Sequence, residues 1–158
     1  MGGFYERLGE ELSLYVRQIA WLNAVPKDDK KRNVANATEP DSRLNKMRAA
    51  GIEPVTPEIP APYLLEYLFE VGPTVSTGMG SAIIGWRDLQ AWQELVGIDL
   101  EPWEARMLRK LSSAYLSQSL KSEKRDCPAP YVSQQQIDRE AVSRKVGNAF
   151  LALMQSKR

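Results

Sequence analysis

The stretch Gly85–Leu108, GWRDLQAWQELVGIDLEPWEARML, holds three of the chain's four tryptophans in its first nineteen residues. From Trp86 to Val96 the apolar positions Trp86, Leu89, Trp92, Leu95 and Val96 share one helical stripe. Gly97 follows, the residue type that best tolerates a left-handed helix stop. Pro102 then suits the first position of a new helix, where a missing N–H costs nothing. Glu104 places a carboxylate near the positive end of that helix. Glu101 is a weak capping residue, which leaves Asp99 as an alternative start. The second stripe runs through Trp103, Met107, Leu108, Leu111, Ala114, Tyr115 and Gln118. The spacing predicts helices over 86–96 and 102–120, packed as an antiparallel or strongly crossed pair. Trp92 and Trp103 belong to the core between them. Trp86, at a helix start beside a glycine loop, reads as a surface or partner contact.

Immediately upstream, Pro62 opens YLLEYLFEV, which is apolar on nearly every side except at Glu66 and Glu70. A helix of that character is buried on most faces. Gly72-Pro73 ends it. The run Thr74–Gly85, TVSTGMGSAIIG, reads as a flexible connection. Its GMG lacks both the Lys-Ser/Thr of a phosphate loop and the GxGxxG order of a dinucleotide site. The expected fold is therefore all-α, a small aromatic-rich core over 61–120 built from helices 63–71, 86–96 and 102–120.

Both flanks extend this core. Residues 1–24 form an amphipathic helix, with Phe4, Leu8, Leu12, Tyr15, Val16, Ile19 and Leu22 at steps of three and four. The stripe is either packed on the core or offered to a partner, and Leu8, Tyr15 and Ile19 are candidate contacts in the second case. Residues 25–60 read as a polar, proline-rich linker with a short helix at 42–50, capped by Asp41 or Ser42 and stopped by Gly51. A second linker covers 121–133, and its Cys127 has no base or partner cysteine to make it reactive. Residues 134–156 form a C-terminal amphipathic helix whose apolar face includes Ile137, Val142, Val146, Phe150 and Met154. Phe150 is a further candidate contact. The two terminal helices are free to pack together, self-associate or grip a client.

Composition narrows the chemistry. The 158 residues include no histidine and one cysteine, so a Cys/His zinc site or a His-dependent nucleophile cannot be built within one chain. No DxD, DxN or ExxE cluster arranges carboxylates, and no catalytic, metal or cofactor residue is assigned. No apolar run approaches the length needed to cross a bilayer, and charges interrupt the N-terminus where a signal peptide would be apolar. A cytosolic protein is expected. Residues 58–104 carry eight acidic groups against Arg87 alone, a net of −7. Residues 27–48 carry seven basic and four acidic groups, and 121–158 carry eight and four. An acidic centre between basic flanks disfavours nucleic-acid binding, which needs a positive face. It suits a module that engages a basic partner or its own flanks, through residues such as Glu66 and Glu70.

Taken together, P-E-I-P at 57–60, the aromatic run Tyr63–Phe69, a glycine loop, A-W-x-x-L-x-G at 91–97, L-x-P-W-E at 100–104 and A-Y-L at 114–116 form a pattern. It resembles the tail assembly chaperone family of long-tailed bacteriophages over residues 43–117. The matching positions include Trp92, Leu95, Gly97, Leu100, Pro102, Trp103, Glu104 and Tyr115. Tyr67, Phe69 and Val71 depart from the pattern, standing where the family would show a tryptophan pair. The resemblance implies a non-enzymatic protein that binds tape-measure protein and tail-tube subunits in the host cytoplasm and is absent from the mature virion. A structural tail or connector component and a small helical DNA-binding regulator are the alternatives.

Overall fold

The computed structural model describes residues 2–27 and 41–156. They are mostly helical, with one very small sheet. The helices are α1 (Gly2–Asn23), α2 (Arg43–Ala49), α3 (Pro62–Val71), α4 (Trp86–Val96), α5 (Pro102–Lys121) and α6 (Gln134–Ser156). Strands β1 (Val75–Thr77) and β2 (Gly80–Ala82) lie between α3 and α4. Among the described residues, no helix is long and apolar enough to cross a membrane.

The most extensive helix packing is between α1 and α5. The two run side by side in the same direction. Tyr5 meets Trp103 near their N-terminal ends, with ring centroids 4.9 Å apart. At the far end the Arg43 guanidinium donates to both Trp21 O and Ser122 O. Between these points Gly9 faces the flexible ends of two α5 side chains. A Cβ there would lie 2.8 Å from Lys110 Nζ and 3.3 Å from Met107 Cε. Leu8, Leu12 and Val16 of α1 join Met107, Leu108 and Leu111 of α5 in one buried cluster. Leu64, Leu65 and Leu68 of α3, Leu89 of α4 and Ile84 complete it. Fully burying each such side chain contributes about 2 kcal/mol.

This architecture corrects the sequence reading in several places. The N-terminal helix belongs to the core and is not an arm, so residues 61–120 do not bury their apolar surface by themselves. Of the two alternatives for the stripe, packing on the core holds: Leu8, a candidate contact only in the other case, is 8% exposed. Tyr15 packs against the same cluster and Ile19 is half-buried. The reason is length: α4, about 16 Å long, cannot cover the stripe of α5, about 30 Å long, and α1 can. For the same reason α5 takes α1 as its main neighbour, in place of the expected pairing with α4. Leu95, read as a core position, is 87% exposed. It sits on the outer side of a helix whose buried side is spent on Leu89 and Trp92.

Other corrections fall between the helices. The glycine-rich connection forms an antiparallel hairpin, pairing Val75 with Ala82, Ser76 with Ser81 and Thr77 with Gly80. The linkers are tied down where they are described. Gln18 Nε2 donates to Val55 O at 2.8 Å, and Tyr131 N–H donates to Gln18 Oε1 at 3.1 Å. Lys27 N–H donates to Glu123 O, and its ammonium pairs with the Glu123 carboxylate at 2.6 Å. Trp21 Nε1 donates to Cys127 O at 2.8 Å. Ser42 caps α2, accepting from the Asn45 N–H at 3.2 Å. Linker residues 28–40 lie outside the described residues.

Candidate functional site

The Pro102-Trp103-Glu104 motif opens α5 with proline at the first helical turn and Glu101 at the cap. Glu104 serves two partners. Its Oε2 accepts the Glu101 N–H at 2.9 Å, and its Oε1 accepts the Tyr63 hydroxyl at 2.8 Å. The helix start therefore rests on Glu104 itself, not on Asp99, and the same carboxylate fastens α5 to the first turn of α3. Burial of the Tyr63 phenol, reinforced by the Glu104 hydrogen bond and charge, pushes its pKa up to about 12.

Beside this junction lies an open trough of about 450 Å³. Phe4, Leu8 and the Arg7–Glu11 pair line it from α1, Pro60 and Ala61 from the segment before α3, and Tyr63 and Trp103 from the two joined helix starts. Its wall is aromatic. Phe4 and Tyr5 meet edge to face at 5.5 Å, and Tyr5 continues onto Trp103. Phe4 is 70% exposed on the rim of the trough. Arg7 is met by Glu11 at 3.0 Å. Its lining carries one cation and one anion, Arg7 and Glu11, and Arg106 and Lys110 stand on the other side of Trp103.

The remaining expected positions divide into core and surface. Trp92 is buried, its ring 5.2 Å from Tyr67, and its Nε1 has no hydrogen-bond partner in the protein. Trp103, Leu100 and Tyr115 are partly buried against the core, and Tyr115 also meets Phe69 edge to face. Gly97 caps α4 in the left-handed conformation, with φ 71° and ψ 33°. Glu66 and Glu70 are exposed on α3. Trp86 is 56% exposed, with the Arg109 guanidinium 4.3 Å above its ring. The trough gathers Leu8 and Trp103 and leaves Trp86, Glu66 and Glu70 out. Phe150 lies outside the described side chains.

Three structural residues escaped the sequence reading. Ser112, fully buried on α5, donates to Pro73 O and accepts the Ile84 N–H, clasping both ends of the hairpin segment. Gln18 holds both linkers, and Arg43 joins α1, α2 and the turn after α5. Gln18 and Ser112 left a faint signal, since each is a polar residue on an otherwise apolar helical face. Arg43 left none, because its acceptors are main-chain carbonyls far away in sequence.

Among the described residues, no group of three or more His, Cys, Asp or Glu side chains is placed to hold a metal ion. No protein-family model, curated protein or solved structure matches the chain.

Proposed function

We propose that this chain is a non-enzymatic assembly chaperone of a long-tailed bacteriophage. In this reading it holds tape-measure protein and tail-tube subunits in the host cytoplasm during tail assembly, and leaves before the particle is complete. The observation that carries the reading is the use to which the motif is put. The Glu104 of P-W-E and the Tyr63 that follows P-E-I-P are hydrogen-bonded to one another at 2.8 Å. That bond fixes Tyr63, which lines an open trough with Phe4 and Trp103. A trough of this kind suits the apolar face of a helix. Weak contacts of that sort, repeated along a long client, are strong together and individually releasable.

Co-expression with the tape-measure protein is the direct test. The client is expected in the soluble fraction, bound to this chain, and Phe4→Glu is expected to return it to the pellet. An insoluble client in the presence of the wild-type chain would rule the reading out. Mass spectrometry of purified particles separates the structural alternative, which requires this chain at stoichiometric abundance. The DNA-binding alternative is disfavoured by Glu101 and Glu104 at the start of α5, where a recognition helix would meet the groove. Binding of duplex DNA that weakens with salt would revive it.

A further inference from the structure

Helix α4 buries Leu89 and Trp92 and turns its other side to solvent. Asp88, Ala91 and Leu95, at steps of three and four, share that outer side, and all three are exposed. Leu95 stands in the last turn with 87% of its surface in solvent, and Val96 beside it is also exposed. The charge around them has one sign. From Asp88 to Glu104 the sequence carries five carboxylates, Asp88, Glu94, Asp99, Glu101 and Glu104, and no lysine or arginine. Among the described residues none of the five is in an ion pair. Arg87 lies in the first turn of α4, about 12 Å along the helix from Leu95, and Arg109 covers Trp86 at that same end. Arg106 and Lys110 share a hollow with Tyr5 and Glu6 of α1. Glu94 is placed against its own helix. A C-terminal turn carries partial negative charge and favours cations, yet α4 has no basic residue there.

We propose that this outer face of α4 docks a cationic amphipathic helix of another protein. An apolar side chain of that helix sits over Leu95 and Val96, and its lysines or arginines meet the surrounding carboxylates. Each part of the surface answers one part of such a ligand. Leu95 and Val96 supply the apolar contact, and Ala91 is small enough to let a helix approach. Glu94, Asp99 and Glu101 supply unpaired negative charge. A cation placed there also relieves the repulsion between Glu94 and the end of its own helix. Complementarity of this kind selects the sign of the partner and speeds its arrival. An anionic helix meets the same leucine and is repelled. The face is separate from the Phe4–Tyr63–Trp103 trough, whose lining includes no residue of α4. The inference therefore holds whatever occupies the trough.

The test is fluorescence anisotropy of a labelled amphipathic helix of leucine and lysine, titrated with the full chain, beside its leucine–glutamate counterpart. The lysine peptide is expected to bind, more weakly as salt rises, and the glutamate peptide to stay free. Leu95→Ser changes an exposed position, so the circular-dichroism signal of the parent is expected to persist while the peptide Kd rises about tenfold. Glu94→Gln is expected to raise Tm slightly, because the helix end loses its repulsion. The same variant is expected to weaken the peptide by about two- to fivefold, the scale of one exposed ion pair. A lysine peptide that does not bind, equal binding of the two peptides, or a Kd unmoved by Leu95→Ser would each overturn the inference. So would a loss of binding that follows Phe4→Ser and not Leu95→Ser, since it would put the peptide in the trough.

Discussion

Arg43 is 9% exposed, and its guanidinium donates to Trp21 O, Ser122 O and Lys124 O while lying 5.1 Å over the Trp21 ring. These carbonyls stand at the C-terminal ends of α1 and α5, where parallel helices bring two partial negative charges together. A fixed cation there satisfies groups that neither helix can satisfy internally. Arg43→Ala is therefore expected to lower the unfolding free energy by about 2–4 kcal/mol in urea titrations, the range for stranding several buried acceptors of a charged donor. Arg43→Lys keeps the charge but loses the planar fork, and an intermediate loss is expected. Tyr63 gives a pH signature. Its folded pKa is raised to about 12 from an ordinary value of 10.0. The stabilisation is thus fully present below pH 10 and is lost as pH rises through 12. Ultraviolet titration of the native protein should show one late-ionising tyrosine that disappears in Tyr63→Phe. In Glu104→Gln that ionisation should move down toward the ordinary tyrosine range.

Whole elements respond to substitutions that leave their neighbours alone. Helix α4 ends because Gly97 takes a left-handed conformation and its N–H reaches Gln93 O. No atom stands within 4 Å of where a Cβ would be, so Gly97→Ala meets only backbone strain. A cost of about 1 kcal/mol is expected in thermal or denaturant unfolding. The hairpin depends on Ser112 instead of on its own short ladder, since Pro73 and Ile84 are both bonded to that one hydroxyl. Ser112→Ala is expected to cost about 1–3 kcal/mol, because a buried N–H and a carbonyl lose their partner together. Hydrogen exchange should show the Ile84 amide losing protection first.

At the scale of the molecule, α1 and α6 have opposite standing: α1 is clearly amphipathic, whereas the amphipathic character expected of residues 134–156 is weak in α6. Leu12 and Val16 of α1 are fully buried, whereas the described apolar residues of α6 are largely exposed. Removing residues 1–24 is expected to abolish cooperative unfolding, since it strips one side of the only large buried cluster among the described residues. Ending the chain at Ser133 is expected to preserve the transition.

The sequence alone determined the local features. Helical period, the proline at position 102 and the glycine at 97 act within a few residues, so α3, α4 and α5 were legible from spacing. The absence of histidine likewise excluded whole classes of chemistry without a structure. Tertiary structure alone decided which stripe covers which. Both α1 and α6 carry apolar residues at helical spacing, but the stripe of α1 is much the sharper, and α1 is the one that packs along α5. It also decided the anchoring of the linkers, because Arg43 and Gln18 bind main-chain groups, and every residue in the chain has those. The trough belongs to that second category: its walls come from residues 4–11, 60–63 and 103, which become neighbours only when two parallel helices close over the start of a third.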